Sequence, residues 1–286
     1  LPKLPKLPLR LARLFGTMPT PATGRVTVVL NDAGLTEAGV YGNFKPVAKI
    51  GEAVYGSFYE AVKVAQTDDT ITLLEDADLY FADEPMYNFV YASEIDLNGK
   101  TLTIKDGDLR FSNTTIKDGN IVVEPKNYGG TAVFLMYDKE LTIENTTITA
   151  TGVSGTYLIG LEGNSDLKVD NSEIIIDNEN PVKLTPVACK GTGTIVINKS
   201  EIAFNNINGH SFLGGKYSIV DSNIETNGVK TGFYIRNGQS LSIEGTSTVT
   251  MTNRLASDYQ YDINLYGTAI YSVAEGATVN ATVGRN

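Results

Sequence analysis

Residues 141–148 read LTIENTTI, and the same pattern returns as LKVDNSEI at 167–174, IVINKSEI at 195–202 and YSIVDSNI at 217–224. Weaker copies stand on either side, LRFSNTTI at 109–116 and LSIEGTST at 241–248, so the starts lie 22 to 32 residues apart. The first position is large and apolar in every copy, and the third is Phe111, Ile143, Val169, Ile197, Ile219 or Ile243. The eighth position is Ile116, Ile148, Ile174, Ile202 and Ile224, and fails only at Thr248. The sixth carries a hydroxyl throughout: Thr114, Thr146, Ser172, Ser200, Ser222 and Thr246. The fifth is Asn113, Asn145, Asn171, Lys199, Asp221 or Gly245, mostly residues that accept a tight bend. Each copy therefore reads as a strand, a bend and a second strand.

A further strand precedes each copy. Counting eight and six residues back gives Val133 with Leu135, Ile159 with Leu161, Val187 with Cys189, and Phe233 with Ile235. Apolar pairs at spacing two predict an inward-facing ladder, with Phe134, Gly160, Ala188 and Tyr234 outward. The copy before Tyr217, NGHSFLGGK at 208–216, has no register that the sequence assigns. Fixed side chains at fixed offsets within repeats of uneven length predict stacked coils, each burying its neighbour's apolar face. An antiparallel sandwich or barrel would supply many short strands but no such identity of position. The expected fold is all-β, a single-stranded parallel β-helix, right-handed by the general chirality of parallel crossovers.

Ser57, Phe58, Tyr59 and Glu60 form a capping box, and Ala61, Val62 and Ala65 then share one helical face. This predicts a short helix that stops near Gln66 and covers the open end of the solenoid. The expected organisation is a flexible leader or linker over 1–24, a strand and turn extension over 25–49, and the capped β-helix over 50–283. Leader residues Lys3, Lys6, Arg10 and Arg13 are interleaved with prolines that break the apolar run of a secretory signal.

Across 286 residues, hydrophobic side chains make up 42% and the net charge is −10. That balance argues against nucleic-acid partners, and no apolar run approaches the length of a membrane span. Trp is absent, and His210 and Cys189 are the only residues of their kinds, which excludes a disulfide scaffold, a Cys-rich zinc site and a mechanism using two histidines.

The run Ile50, Gly51, then Ser57-Phe58-x-Glu60-Ala61-Val62, Asp69-Thr70-Ile71-Thr72-Leu73-Leu74-x-Asp76 and 95–104 (IDLNGKTLTI) resembles the opening of pectin-lyase-like parallel β-helix domains of bacterial secreted and cell-surface proteins. The resemblance covers roughly residues 50–283. It implies an extracellular or cell-surface location and an adhesin-like role in binding glycans or host proteins, or in spacing. The same coil also carries polysaccharide lyases, glycoside hydrolases and fibre subunits, so catalysis must be argued from side chains.

Hydrolases of this shape use a Gly-His-Gly setting, whereas Gly209-His210 is followed by Ser211. The weak catalytic candidates are Glu144 and Asp170, which occupy equivalent offsets in successive coils. His210 reads as a loop residue, Cys189 as a buried inert thiol, and Asp68-Asp69 as a turn. No cofactor is expected. Turn residues Asp, Asn and Gly could supply oxygens to calcium, but no EF-hand loop or Gly-Gly-x-Gly-x-Asp array occurs. The candidate ligand-binding residues are Tyr234, Arg236, Phe134, Glu162 and Lys190, which the predicted register places on one outer face, suited to a polysaccharide or peptide.

Overall fold

A computed structural model describes residues 28–29, 45–79, 88–105, 109–124, 132–255 and 260–285. The leader over 1–24 lies outside these residues, as does most of 25–44. Three strands open the described chain: β1 (Val28–Val29), β2 (Ala48–Ile50) and β3 (Ala53–Tyr55), paired antiparallel. Helix α1 (Phe58–Val64) follows, with Ser57 as N-cap accepting a hydrogen bond from the Glu60 amide at 3.2 Å. Phe58, Tyr59, Ala61, Val62 and Ala65 are buried against the first coils, so the helix covers that end as the capping box predicts. Asp69 ends it by accepting from the Gln66 amide at 2.7 Å, which makes the Asp68-Asp69 pair a turn.

From Thr70 onward the chain winds as a parallel β-solenoid with three sheets. The first contains Thr70–Leu73, Glu94–Asp96, Asp166–Asp170, Thr194–Asn198, Lys216–Val220, Ser240–Glu244 and Ile270–Val273. The opening halves of Thr114–Val123 and Glu140–Ala150 join it, and their closing halves bend into the second sheet. The second sheet continues through Glu173–Val182 and the opening halves of Glu201–Leu213 and Asn223–Ile235, whose closing halves enter the third.

Like stacks on like along each interior. Ile143, Val169, Ile197, Ile219 and Ile243 form the first ladder, and Ile148, Ile174, Ile202, Ile224 and Val249 the second. All ten are buried. At about 1.5 to 3 kcal/mol for each fully buried side chain, these columns are a dominant source of stability. The bend between the first two sheets has the predicted chemistry. Asn145, Asn171, Lys199 and Asp221 have φ near +47°, and Gly245 has +64°, the left-handed region that Asn, Asp and Gly enter most readily. The adjoining hydroxyls tie the coils together: the amides of Thr146, Ser172 and Ser200 donate to the Oγ of Ser172, Ser200 and Ser222, each at 3.1 Å. Each of these Oγ atoms donates to a carbonyl two residues back at 2.7 Å.

Three registers differ from expectation. Met136 stacks on Leu161 and Phe134 on Ile159, so Phe134 and Met136 face inward and Leu135 pairs outward with Gly160. The turn from Met136 to Leu141 is one residue shorter than that from Leu161 to Leu167, and a one-residue change exchanges the two faces of a strand. The copy at 109–116 does not stack on 141–148. Leu109 and Phe111 belong to the third sheet beneath Phe134 and Met136, while Thr114 and Ile116 lie beneath Leu141 and Ile143. Finally, the last copy has an extra residue: Ser247, not Thr246, accepts from the Ser222 amide, and Val249, not Thr248, stacks on Ile224.

Candidate functional site

The third sheet builds the surface of greatest chemical interest. Its strands include Asn88–Val90, Leu109–Phe111, Ala132–Tyr137, Tyr157–Glu162 and Thr185–Cys189, closing with Ile263–Leu265 and Val283–Arg285. Because side chains alternate along each strand, residues between the inward columns form outward columns across the coils. One runs Phe89, Arg110, Leu135, Gly160, Ala188, Leu213, Tyr234 and Asn264, of which Gly160, Ala188 and Asn264 are buried. Beside it Tyr137 pairs with Glu162, and Lys190, Arg236 and Tyr266 follow the inward Cys189, Ile235 and Leu265.

At one end of this surface, Phe89, Tyr91 and Tyr137 are about half to two-thirds exposed. The rings of Phe89 and Tyr91 lie 5.9 Å apart at an interplanar angle of 18°, and the Arg110 guanidinium sits 5.8 Å over Phe89. With Leu135 and Lys139 they line a cleft of about 320 Å³. At the other end Tyr234 packs 4.7 Å from both His210 and Tyr266, with the Arg236 guanidinium 5.9 Å from its ring. Between the ends, Lys190 donates to Glu162 at 2.6 Å and its ammonium sits 4.9 Å over the Tyr157 ring. The Glu162 hydrogen bond is the main reason the Lys190 pKa is raised. Gly160 packs closely on the preceding strand: a Cβ there would come within 3.1 Å of the Ala132 Cβ and 3.2 Å of the Leu135 Cδ1, with the Tyr157 ring at ordinary contact distance.

No family model, curated protein or solved structure matches this chain.

Of the five sequence-derived ligand-binding candidates, Tyr234, Arg236, Glu162 and Lys190 meet on this outer surface. Phe134 does not. It is fully buried against Phe111 because the short turn reverses its strand, and Tyr137 takes the outward position in register with Glu162. Sequence reasoning missed Tyr137 for that reason. It also missed Phe89, Tyr91, Arg110 and Tyr266, whose strands fall in coils where the eight-residue pattern is weak or absent.

Glu144 and Asp170 are brought together as in-register neighbours on the outer side of the first sheet. Strand spacing alone, about 4.8 Å, resembles a retaining carboxylate pair. However, Asp170 accepts a 2.6 Å hydrogen bond from Asn198 and has the Lys168 ammonium at 3.8 Å. Neither residue lines the aromatic cleft or the hollow at the Asn171, Lys199 and Asp221 corner. His210 lies on a strand opposite Thr231, not in a loop. Burial, then the positive charges of Lys230 and Arg236, lower its pKa to about 4, so the imidazole is neutral at pH 7. Cys189 is buried in the third-sheet interior, and that burial raises its thiol pKa, which makes it a poor nucleophile. Among the described residues, no group of three or more His, Cys, Asp or Glu side chains is placed to hold a metal ion.

Proposed function

We propose that this chain is a non-enzymatic, glycan-binding β-helix module of a secreted or cell-surface protein, of the pectin-lyase-like and adhesin-like kind that its opening residues resemble. The observation that carries this reading is the outer surface of the third sheet, where exposed Phe89, Tyr91 and Tyr137 at one end and partly exposed Tyr234 and Tyr266 at the other flank the Glu162–Lys190 pair. Aromatic faces match the C–H faces of sugars, and neighbouring Arg, Lys and Glu side chains can direct hydrogen bonds at the hydroxyls. The Glu162 carboxylate is already engaged by Lys190 at 2.6 Å, which favours a binding role for this surface over a catalytic one.

A glycan array read with the wild-type chain and with a Tyr234→Ala/Arg236→Ala variant tests the proposal. Retention of specific glycans by the wild type, weakened at least tenfold in the variant with an unchanged melting curve, is the expected result. An array without hits, hits indifferent to both substitutions, or release of new reducing ends from a retained glycan would overturn it.

A further inference from the structure

We infer that the cleft at the end of the third sheet nearest helix α1 takes a ligand of its own, a compact aromatic anion of one or two flat rings bearing a carboxylate or sulfonate. This goes beyond the glycan reading, whose test sits on Tyr234 and Arg236 at the opposite end. Among the described residues, Phe89, Tyr91 and Tyr137 are the three most exposed aromatic side chains, and all three line this one cleft. Exposed apolar residues scattered singly are ordinary, whereas exposed rings gathered in one place mark a binding surface.

The lining sets the charge of that ligand. Aromatic faces alone attract cations, through the negative face of each ring. Here the Arg110 guanidinium already lies over Phe89 at 5.8 Å, and Lys139 is the second cation of the lining. No carboxylate stands among the described residues that line the cleft, on a chain with 33 acidic and 23 basic residues. Elsewhere the pattern is different: Lys105, Lys117, Lys168 and Lys190 each have a carboxylate at 2.6 to 3.8 Å. Two cations beside an aromatic wall complement an anion carried on a ring. The ring stacks against Phe89 and Tyr91, themselves stacked at 5.9 Å, while guanidinium and ammonium donate to the acidic group.

The extent of the cleft sets the size of the ligand. Its volume of about 320 Å³ lies at the small end of the range for small-molecule sites. The outward column offers no extension beyond Leu135, since the next two positions, Gly160 and Ala188, are buried. A compact ring system fits that space and an extended chain does not.

Calorimetric titration of the full chain with four probes tests this: naphthoate, the neutral naphthalenemethanol, the aliphatic anion cyclohexanecarboxylate and the cation naphthylmethyl-trimethylammonium. Naphthoate should bind at least tenfold more tightly than naphthalenemethanol or cyclohexanecarboxylate, and the cation should show no saturable binding. Added salt should weaken naphthoate and leave naphthalenemethanol unchanged. Lys139→Gln, and more fully the Arg110→Gln/Lys139→Gln double variant, should remove the advantage of naphthoate while naphthalenemethanol stays within threefold. Tyr91→Ala should weaken both aromatic ligands at least fivefold. Should Tyr91→Ala unfold, Tyr137→Ala, at 68% exposure, serves in its place. Equal affinity for the anion and the neutral ring, tighter binding of the cation, absence of saturable naphthoate binding, or naphthoate binding indifferent to these substitutions overturns the site. None of these outcomes bears on the glycan array, so the two readings fail separately.

Discussion

Tyr217 shows what one atom can cost. Its ring packs edge-on against Phe212 and Phe233, which stack face to face at 4.3 Å, so the aromatic body suits the interior. Its hydroxyl is buried without a hydrogen-bond partner, and burial raises its pKa well above that of an exposed tyrosine. An unsatisfied buried hydroxyl costs roughly 1–3 kcal/mol. Tyr217→Phe keeps the ring and removes the penalty, so its melting temperature should exceed that of wild type, and a lower one would mean that the hydroxyl has a stabilising partner. His210 offers a second test. Its pKa is about 4 in the folded chain against about 6.5 unfolded, so between these values the unfolded chain binds the extra proton. Stability is therefore lost as pH falls from 6.5 through 4. Melting curves taken between pH 7 and 4.5 should drop more steeply for wild type than for His210→Gln, and parallel curves would remove the linkage.

At the level of the strand, register decides which substitutions are tolerated. Met136 is fully buried and Leu135 only partly so, which reverses the sequence-based assignment. Met136→Asp should prevent folding, because a buried unpaired carboxylate has no compensating partner, whereas Leu135→Asp should express and melt cooperatively. The opposite pattern in circular dichroism melts would restore the original register. The bend residues, the hydroxyl column and the isoleucine ladders were legible because each coil demands the same chemistry at the same place: a positive φ at Asn171, a carbonyl within reach of Ser200, a neighbour above Ile197. The length of each corner was not legible. Nothing in residues 137–140 announces that the turn is one residue short, and nothing in 109–116 announces that its first half belongs to the third sheet. Local pattern fixes strand and bend, while the stacking partner is a long-range choice made by the assembled coil. The candidate surface inherited this limit: Tyr234, Arg236, Glu162 and Lys190 came from coils with standard corners before the repeat, and Phe134 from one whose corner is a residue short.

For the whole molecule, the direction of the hydrogen bonds has a mechanical consequence. The ladders that join Ile197 to Ile219, Ile219 to Ile243 and Ile243 to Val273 point along the solenoid axis, while the chain itself runs around it. Tension applied at the C-terminus opens these bonds a few at a time, peeling one coil before the next is stressed. Each coil of 22 to 30 residues, measured between stacked partners, would release roughly 70 to 110 Å of slack. Single-molecule pulling from that end should give a sawtooth with this periodicity, in keeping with a molecule whose coils contact only their neighbours. One abrupt rip of the full contour length would show instead that the coils yield together. A protein built this way is a spool: it pays out chain at low force from its last turn, while the helix-capped coils at the far end hold their shape.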